Sequence, residues 1–499
     1  MTVDISQISE FGRIDAESES LLREFFVETD AYMRVEDQDH IVVVGRKGTG
    51  KTAIYEVILE RADDVSTVFA TGLKFRDYPW GIHEEIKDTD AAAVERYTHS
   101  WIFLILVELG KLILSDESHA FSPNTEAARA RTALERFIRN NWGSVGFEFK
   151  DIFRKRQYEF EFNPQFAGTG VGTVRRHTVS RGELATKLIE ANRWLKACIE
   201  RVAQSDNSYF VLFDELDTGY DPSDDEYANR LIGLLLAARD VFQWAQTGGF
   251  KVAPVVFLRS DIYDDLSFPD KNKITRNLAE TLTWTDDLTG ENSLKVLIDQ
   301  RIRVLTKTTA DDPWAEVFDS QLMRGTQPKA KHIASRTYLR PRDMIQFCNL
   351  CLKEANAARD PSITNEHIAR ARRAYSDYLI EELDDEIHAS FPRWQTYLDV
   401  LRRIHTMRFT RVEFEQQYDA IGLGNGGLDA AGALAMMYRY GIIGFTKIGG
   451  GGYGGSSVAF SYREASINFD PLAPSFTVHP GLKEALELIE AGEPSQARP

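Results

Sequence analysis

Cysteine is scarce. Cys198, Cys348 and Cys351 are the only three among 499 residues. So small and odd a set excludes a disulfide framework and suits a reducing compartment. Cys348 and Cys351 have C-x-x-C spacing, but no second pair exists, and they lie in the apolar run 347–352. They read as buried small hydrophobes rather than a metal or redox site. Long hydrophobic runs are missing as well. The longest, 101–114, contains Glu108 and Lys111. It falls short of the roughly 18 residues that a membrane span needs, and reads as a buried helix. The first twenty residues carry acids where an export signal needs a basic start. A soluble cytoplasmic protein, with no membrane partner, is the expectation. Positive charge is also in deficit. Lys and Arg number 59 against 76 Asp and Glu, a formal charge of −17. Coating nucleic acid through bulk electrostatics is thereby disfavoured, which leaves only a local basic patch.

What is present is the composition of a folded chain, 43% hydrophobic and 11% aromatic. At roughly 150 residues per domain the length suggests about three domains. Residues 41–44 form a β-branched run that suits a strand buried on both faces. Gly45-Arg46-Lys47-Gly48-Thr49-Gly50-Lys51-Thr52 follows, and from Ala53 to Arg61 apolar residues recur at helical spacing. Strand, G-x-x-x-x-G-K-T and helix in this order are the context of a phosphate-binding loop. The glycines let backbone N–H groups turn inward around phosphates, and the helix N-terminus adds its dipole. Lys51 is expected at the β- and γ-phosphates and the Thr52 hydroxyl on Mg²⁺. The bare pattern arises by chance in about one of sixty chains of this length, and the flanking elements make it rarer.

A second apolar run, 209–213, ends in Asp214-Glu215-Leu216-Asp217. A buried strand with two acids at its carboxyl end is a Walker B pattern. Asp214 is expected to hold the Mg²⁺ and Glu215 to orient and deprotonate the attacking water, with Asp217 behind them. A third run, 252–258, ends in Arg259-Ser260-Asp261. The strand beside Walker B ends near the γ-phosphate, and Arg259 fits that place; Ser260 or Asp261 could share it, and an ordinary surface loop is the competing reading. Arg276, just before a strand expected through Leu282 and Trp284, stands where an inter-subunit finger sits, or in a solvated basic turn. Tyr338-Leu339-Arg340-Pro341-Arg342-Asp343 precedes a helix over 344–358, with Pro341 suited to its first turn. Arg340 and Arg342 either reach nucleotide from a helical lid or pair with local acids.

Together these segments resemble AAA+ ATPases of the origin-recognition type and the related STAND signalling ATPases. Phe11-Gly12-Arg13-Ile14-Asp15-Ala16-Glu17, with Leu21 and Leu22, is similar to their F-x-G-R opening, although the residue between Phe and Gly is missing. The nearest resemblance is to a bacterial P-loop ATPase family of this branch, through the FLRSDI, LRPRD and VHPGL segments. It implies ATP and Mg²⁺ as ligands and places Arg13 near the base and ribose. The chain departs from a minimal core by a long, largely helical and aromatic insertion at about 75–190. Within it, 168–173 imitates a nucleotide loop but has no flanking strand or helix and reads as a plain loop. Residues 153–166, with Arg175 and Arg176, interleave bases and aromatics, either as a contact surface or as a solvated loop.

Residues 391–490 change character. Helices are expected over 394–407, after the N-cap Thr410, and over 428–440. Strands are expected at 442–448 and 458–462 around a glycine-rich hairpin, which describes a winged helix. Nine bases against ten acids make a poor DNA surface, so protein or interdomain contact is favoured. By resemblance to the Met-His-Asp stretch of STAND proteins His479 contacts the diphosphate; a buried structural histidine is the alternative.

The fold expected is therefore α/β. It comprises a P-loop core over 1–285 with parallel sheet and insertion, a helical lid over 286–385, a winged helix over 386–492 and a frayed tail over 493–499. The function expected is a slow, Mg-dependent ATPase acting as an assembly or signalling switch, with phage defence as one candidate setting. A homo-oligomer that contacts a protein effector is expected. An origin-recognition-like DNA-binding protein stabilised by ATP is the alternative.

Overall fold

The computed structural model describes residues 4–490 except 77, 82, 84, 85, 88–90, 119, 120, 155, 156, 163–174, 219, 221–223, 424–426, 448–456, 465 and 466; for 160–162 and 175–186 it describes the backbone alone. The chain forms two compact units. The sheet unit is Glu28–Arg46 with Lys51–Leu282. The helical unit is Met1–Val27, Lys47–Gly50 and Thr283–Pro499.

The sheet unit is built on five parallel strands: β1 (Val42–Gly45), β2 (Val68–Lys74), β5 (Ser208–Asp214), β6 (Lys251–Arg259) and β7 (Ala279–Thr281), in the order β2-β5-β6-β1-β7. The remaining strands of this unit, β3 (Gln157–Phe162) and β4 (Arg175–Ser180), form a separate antiparallel hairpin. Every residue of β1 is buried, as are all but the first residue of β5. Continuous β-branched and aromatic runs suit strands covered on both faces. The helix Asp225–Gly248 packs on β6 and on the apolar helix Thr98–Ser115. Asp224 caps its N-terminus, and Gly249 closes its C-terminus at φ +75°. Gly233 lets that helix come close: a Cβ there would lie 2.8 Å from Tyr97 Cβ. The stretch Ala93–Ser115 is long and apolar enough to cross a membrane, but most of it is buried within this unit, as expected of a core helix.

The insertion is less helical than its sequence suggests. Helices Glu126–Trp142 and Arg181–Val202 are present, yet the hairpin β3–β4 lies between them. Part of the expected basic-aromatic loop is therefore strand. The glycine-rich segment 168–173 lies outside the described residues.

The helical unit gathers one apolar core from its N-terminal segment, from helices Leu294–Thr306, Pro341–Ala358 and Asn365–Ile387, and from the C-terminal part. Pro341 occupies the first helical turn of its helix. Cys348 and Cys351 are fully buried in this core, and burial raises both thiols. The C-terminal part has helices Gln395–Ile404, Arg411–Ile421 and Ala430–Arg439. Thr410 and Glu413 form the expected capping box. Beside them lies an antiparallel sheet ordered β10-β9-β11-β8, made of β8 (Arg408–Phe409), β9 (Ile443–Lys447), β10 (Ser457–Ala459) and β11 (Phe476–Val478). Two strands were expected here. The additional pair arises because Phe476–Val478, immediately before His479, bonds to β9 and also ties in the short strand after the first of these helices. The glycine-rich connection and the tail beyond 490 lie outside the described residues.

Candidate functional site

In the sheet unit the end of β1 and the end of β5 flank β6. Gly45 is level with Arg259 on β6, and Phe213 is level with Val256. The carboxyl ends of these three strands therefore bring Gly45, Asp214 and Arg259 to one edge of the sheet. Lys51 begins the helix Lys51–Asp64, and its Nζ donates to the carbonyls of Gly45 and Arg46 at 2.8 and 3.1 Å. The ammonium thus folds back over the loop. Burial lowers its pKa, while Asp217, Asp214 and Asp261 work against that shift.

Asp214 is 4% exposed and lies beside the Thr52 hydroxyl, which favours its ionised form. Its Oδ2 is buried without a hydrogen-bond partner. Burial raises the carboxyl above the usual range, partly offset by the Glu215 amide, Thr52 and Lys51. A buried, unpartnered carboxylate oxygen beside a hydroxyl is an all-oxygen donor set, which fits a small hard cation completed by phosphate oxygens and water. No cluster of three or more His, Cys, Asp or Glu suited to a metal occurs among the described residues.

Glu215 follows with φ +58°, a conformation that non-glycine residues adopt rarely and that clusters at functional sites. Its carboxylate pairs with Arg76 at 3.3 Å. The turn after it is fixed by the Tyr227 hydroxyl, which donates to the Leu216 carbonyl. Arg259 is bidentate to Asp261 at 3.1 and 2.6 Å and reaches Asp217 at 3.3 Å. Ser260 and Asp261 open the short helix Ser260–Asp265. Arg276 is exposed in the last turn of the helix Lys271–Asn277, so the expected basic turn is helical.

In the helical unit Gly48 and Gly50 have φ of +81° and +104°, the left-handed region that glycine alone enters freely. A Cβ on Gly48 would come within 3.2 Å of Arg342 Cβ. Lys47 pairs with Asp385 at 2.7 Å. Arg340 is fully buried and pairs with Asp343 at 2.9 Å and with Glu386. Arg342 pairs with Glu382 at 3.1 Å and Asp15 at 3.4 Å. Both arginines thus pair with nearby acids. Arg13 is exposed, while its amide donates to Glu19. His479 is fully buried, stacked on Tyr338 with centroids 4.2 Å apart. Its Nδ1 accepts from the Gly481 amide, so its Nε2 carries the proton and donates to the Thr337 carbonyl at 3.2 Å.

Several participants left no local signal in the sequence. Arg76, Tyr227, Trp284, Asp385 and Glu386 meet their partners only through the fold. Arg46 and Ala53 stand where the motif puts them, at the start of the loop and in the first turn of its helix.

The chain is similar to a family model, a relative and several solved structures. Residues 292–384 match the family model described as the FunZ-associated C-terminal helical domain. The transposon gamma-delta 80.3 kDa protein of Escherichia coli (strain K12) is 24% identical over 480 residues. That alignment covers 88% of this chain, and the chain spans 62% of that protein's length. Among solved structures, ORC1 of Aeropyrum pernix in complex with DNA is 14% identical, with 95% of this chain and 96% of that chain covered and a TM-score of 0.39. ORC2 of the same organism, in ADPNP–ADP complexes, is 14% identical, with 95% and 91% covered and a TM-score of 0.38. Cdc6p of Pyrobaculum aerophilum is 13% identical, with 93% and 96% covered and a TM-score of 0.31. The α/β fold with its parallel sheet is of the P-loop NTPase kind, and it rests on the strand order and the loop itself.

Proposed function

We propose that this chain is a Mg-dependent, ATP-binding and ATP-hydrolysing switch of AAA+ type. The observation that supports it most is the meeting of Lys51, Thr52 and Asp214 at one edge of a parallel sheet. Each has a role. Lys51 leaves the Gly45 and Arg46 carbonyls for the β- and γ-phosphates. Thr52 and Asp214 would hold the cation, which would supply charge neutralisation at the phosphates. Glu215 orients the attacking water and takes its proton, a task for which release from Arg76 prepares it. Arg259, steadied by Asp217 and Asp261, faces the terminal phosphate.

By resemblance, Arg13 contributes near the base and ribose, and Arg340 and Arg342 belong to a lid over 286–385. Residues 386–492 form a winged helix, which fits their three helices and antiparallel sheet. We assign His479 to packing, because both ring nitrogens serve main-chain groups. The ATPase core takes in 1–285, of which Met1–Val27 and Lys47–Gly50 pack in the helical unit. The working unit is a cytoplasmic homo-oligomer in which Arg276 is the inter-subunit finger and ATP turnover governs contact with a protein effector. Tight DNA binding is less favoured, since Arg402, Arg411, Lys447, Arg463 and Lys483 are all paired with acids.

Steady-state turnover of Glu215→Gln tests the chemistry. The amide keeps the shape but accepts no proton, so turnover should fall about 10²–10⁴-fold while ATP remains bound. Turnover within a few-fold of the parent protein would remove Glu215 as the base.

A further inference from the structure

Three successive carbonyls of the phosphate loop are held from outside it, by residues of the helical unit. The Trp284 indole Nε1 donates to the Thr49 carbonyl at 2.9 Å, and Trp284 is buried in the core of that unit. The Arg342 amide donates to the Gly48 carbonyl at 3.4 Å. Arg340 Nη1 donates to the Lys47 carbonyl at 3.3 Å. The Trp284 bond is the shortest and the best protected of the three. Arg340 is itself fixed: Asp343 and Glu386 grip it, and Asp343 also accepts from the Tyr338 amide at 3.0 Å.

In a trans peptide the carbonyl of one residue and the N–H of the next point in opposite directions. Holding the carbonyls of Lys47, Gly48 and Thr49 outward therefore turns the amides of Gly48, Thr49 and Gly50 the other way, toward the concave side of the loop. Consecutive amides that converge in this manner form an anion-binding nest. Left to itself, a loop with glycines at two of these four positions would sample many conformations, and ordering them costs free energy on binding. A loop ordered beforehand binds phosphate more tightly by that amount.

We propose that Trp284, helped by Arg340 and the Arg342 main chain, sets the phosphate-binding conformation of Lys47–Gly50. Trp284 is then a positioning residue that touches no nucleotide, and its effect is confined to phosphate. Arg340 acts in the same way, through the Lys47 carbonyl. This rests on the nucleotide reading given above, and it extends that reading to a residue outside every motif.

The test compares ADP and adenosine binding by isothermal titration, using the full chain and Trp284→Phe, which keeps an aromatic ring and removes the donor. The affinity for ADP should fall about five- to ten-fold, the effect of one neutral hydrogen bond. Adenosine affinity should be unchanged. If thermal melting shows Trp284→Phe to be unfolded, the isosteric Trp284→β-(3-benzothienyl)alanine, which exchanges the indole N–H for sulfur, gives the same comparison. ADP affinity equal to that of the parent chain, or equal losses for ADP and adenosine, overturns the inference alone. A parent chain that binds no ADP overturns both the inference and the nucleotide reading.

Discussion

The Thr52 hydroxyl lies beside the Asp214 carboxylate and lowers its pKa, although β1, which leads into the loop before Thr52, is separated from β5 by β6. The two groups to which we assign the nucleotide-bound cation are thus adjacent before any ligand arrives. The free Oδ2 of Asp214 is left buried without a partner. An arrangement of that kind costs stability unless it is used.

The cost is measurable. Burial raises the Asp214 carboxyl above its unfolded value, so the folded state holds that proton more tightly than the unfolded one. The ionised carboxylate therefore destabilises the fold at neutral pH; the penalty shrinks as pH falls below the folded value and is gone below the unfolded one. Asp214→Asn should raise the melting temperature of the nucleotide-free protein at neutral pH, with the difference narrowing toward acid pH. The same variant should lose the extra stabilisation that Mg-ATP gives the parent chain. A variant that melts lower than the parent at neutral pH contradicts this account of Asp214.

The loop, Walker B and the strand ending at Arg259 were legible because each is a local pattern: a continuous buried run that ends in a motif. The capping box at Thr410 and Glu413 is local too. β2 was missed because Val68–Lys74 is mostly half-buried and contains Thr71, Gly72 and Lys74, which dilute a strand signal. The hairpin strand Gln157–Phe162 did carry a signal, since Tyr158, Phe160 and Phe162 alternate with Glu159 and Glu161. The interleaved basic residues drew the reading toward a loop. Contacts such as Trp284 to Thr49, or Arg340 to Glu386, join residues far apart in sequence, and no spacing rule reaches them.

Arg276 is exposed on a short helix, as a residue acting on a neighbouring subunit must be. Turnover per chain should rise with protein concentration and level off. Arg276→Ala should remove that rise and lower the plateau about 10³-fold or more. Light scattering with ATP, with ADP and without nucleotide should show a nucleotide-dependent mass. A monomer in all three states, with turnover independent of concentration, ends the proposal of an inter-subunit finger.

Residues 391–490 carry nine bases and ten acids, and many of those bases are paired. Few remain to displace counterions from a duplex. The full chain with a non-hydrolysable ATP analogue should bind mixed-sequence duplex DNA more weakly than micromolar at about 150 mM salt. Fluorescence anisotropy reads this directly. Submicromolar affinity with a steep salt slope would promote the origin-recognition-like alternative over the protein-effector switch.

The central claim is that the loop at Gly45–Thr52 holds the phosphates of ATP with Lys51 as the cation aimed at them. Equilibrium titration of a fluorescent ATP analogue with Mg²⁺, against the parent chain and Lys51→Ala, tests it most directly. Among the described residues Lys51 donates to loop carbonyls, so its loss should leave the fold intact, which circular dichroism can verify. The account predicts saturable binding by the parent chain and no measurable binding by folded Lys51→Ala. Equal affinity in the two proteins would contradict it.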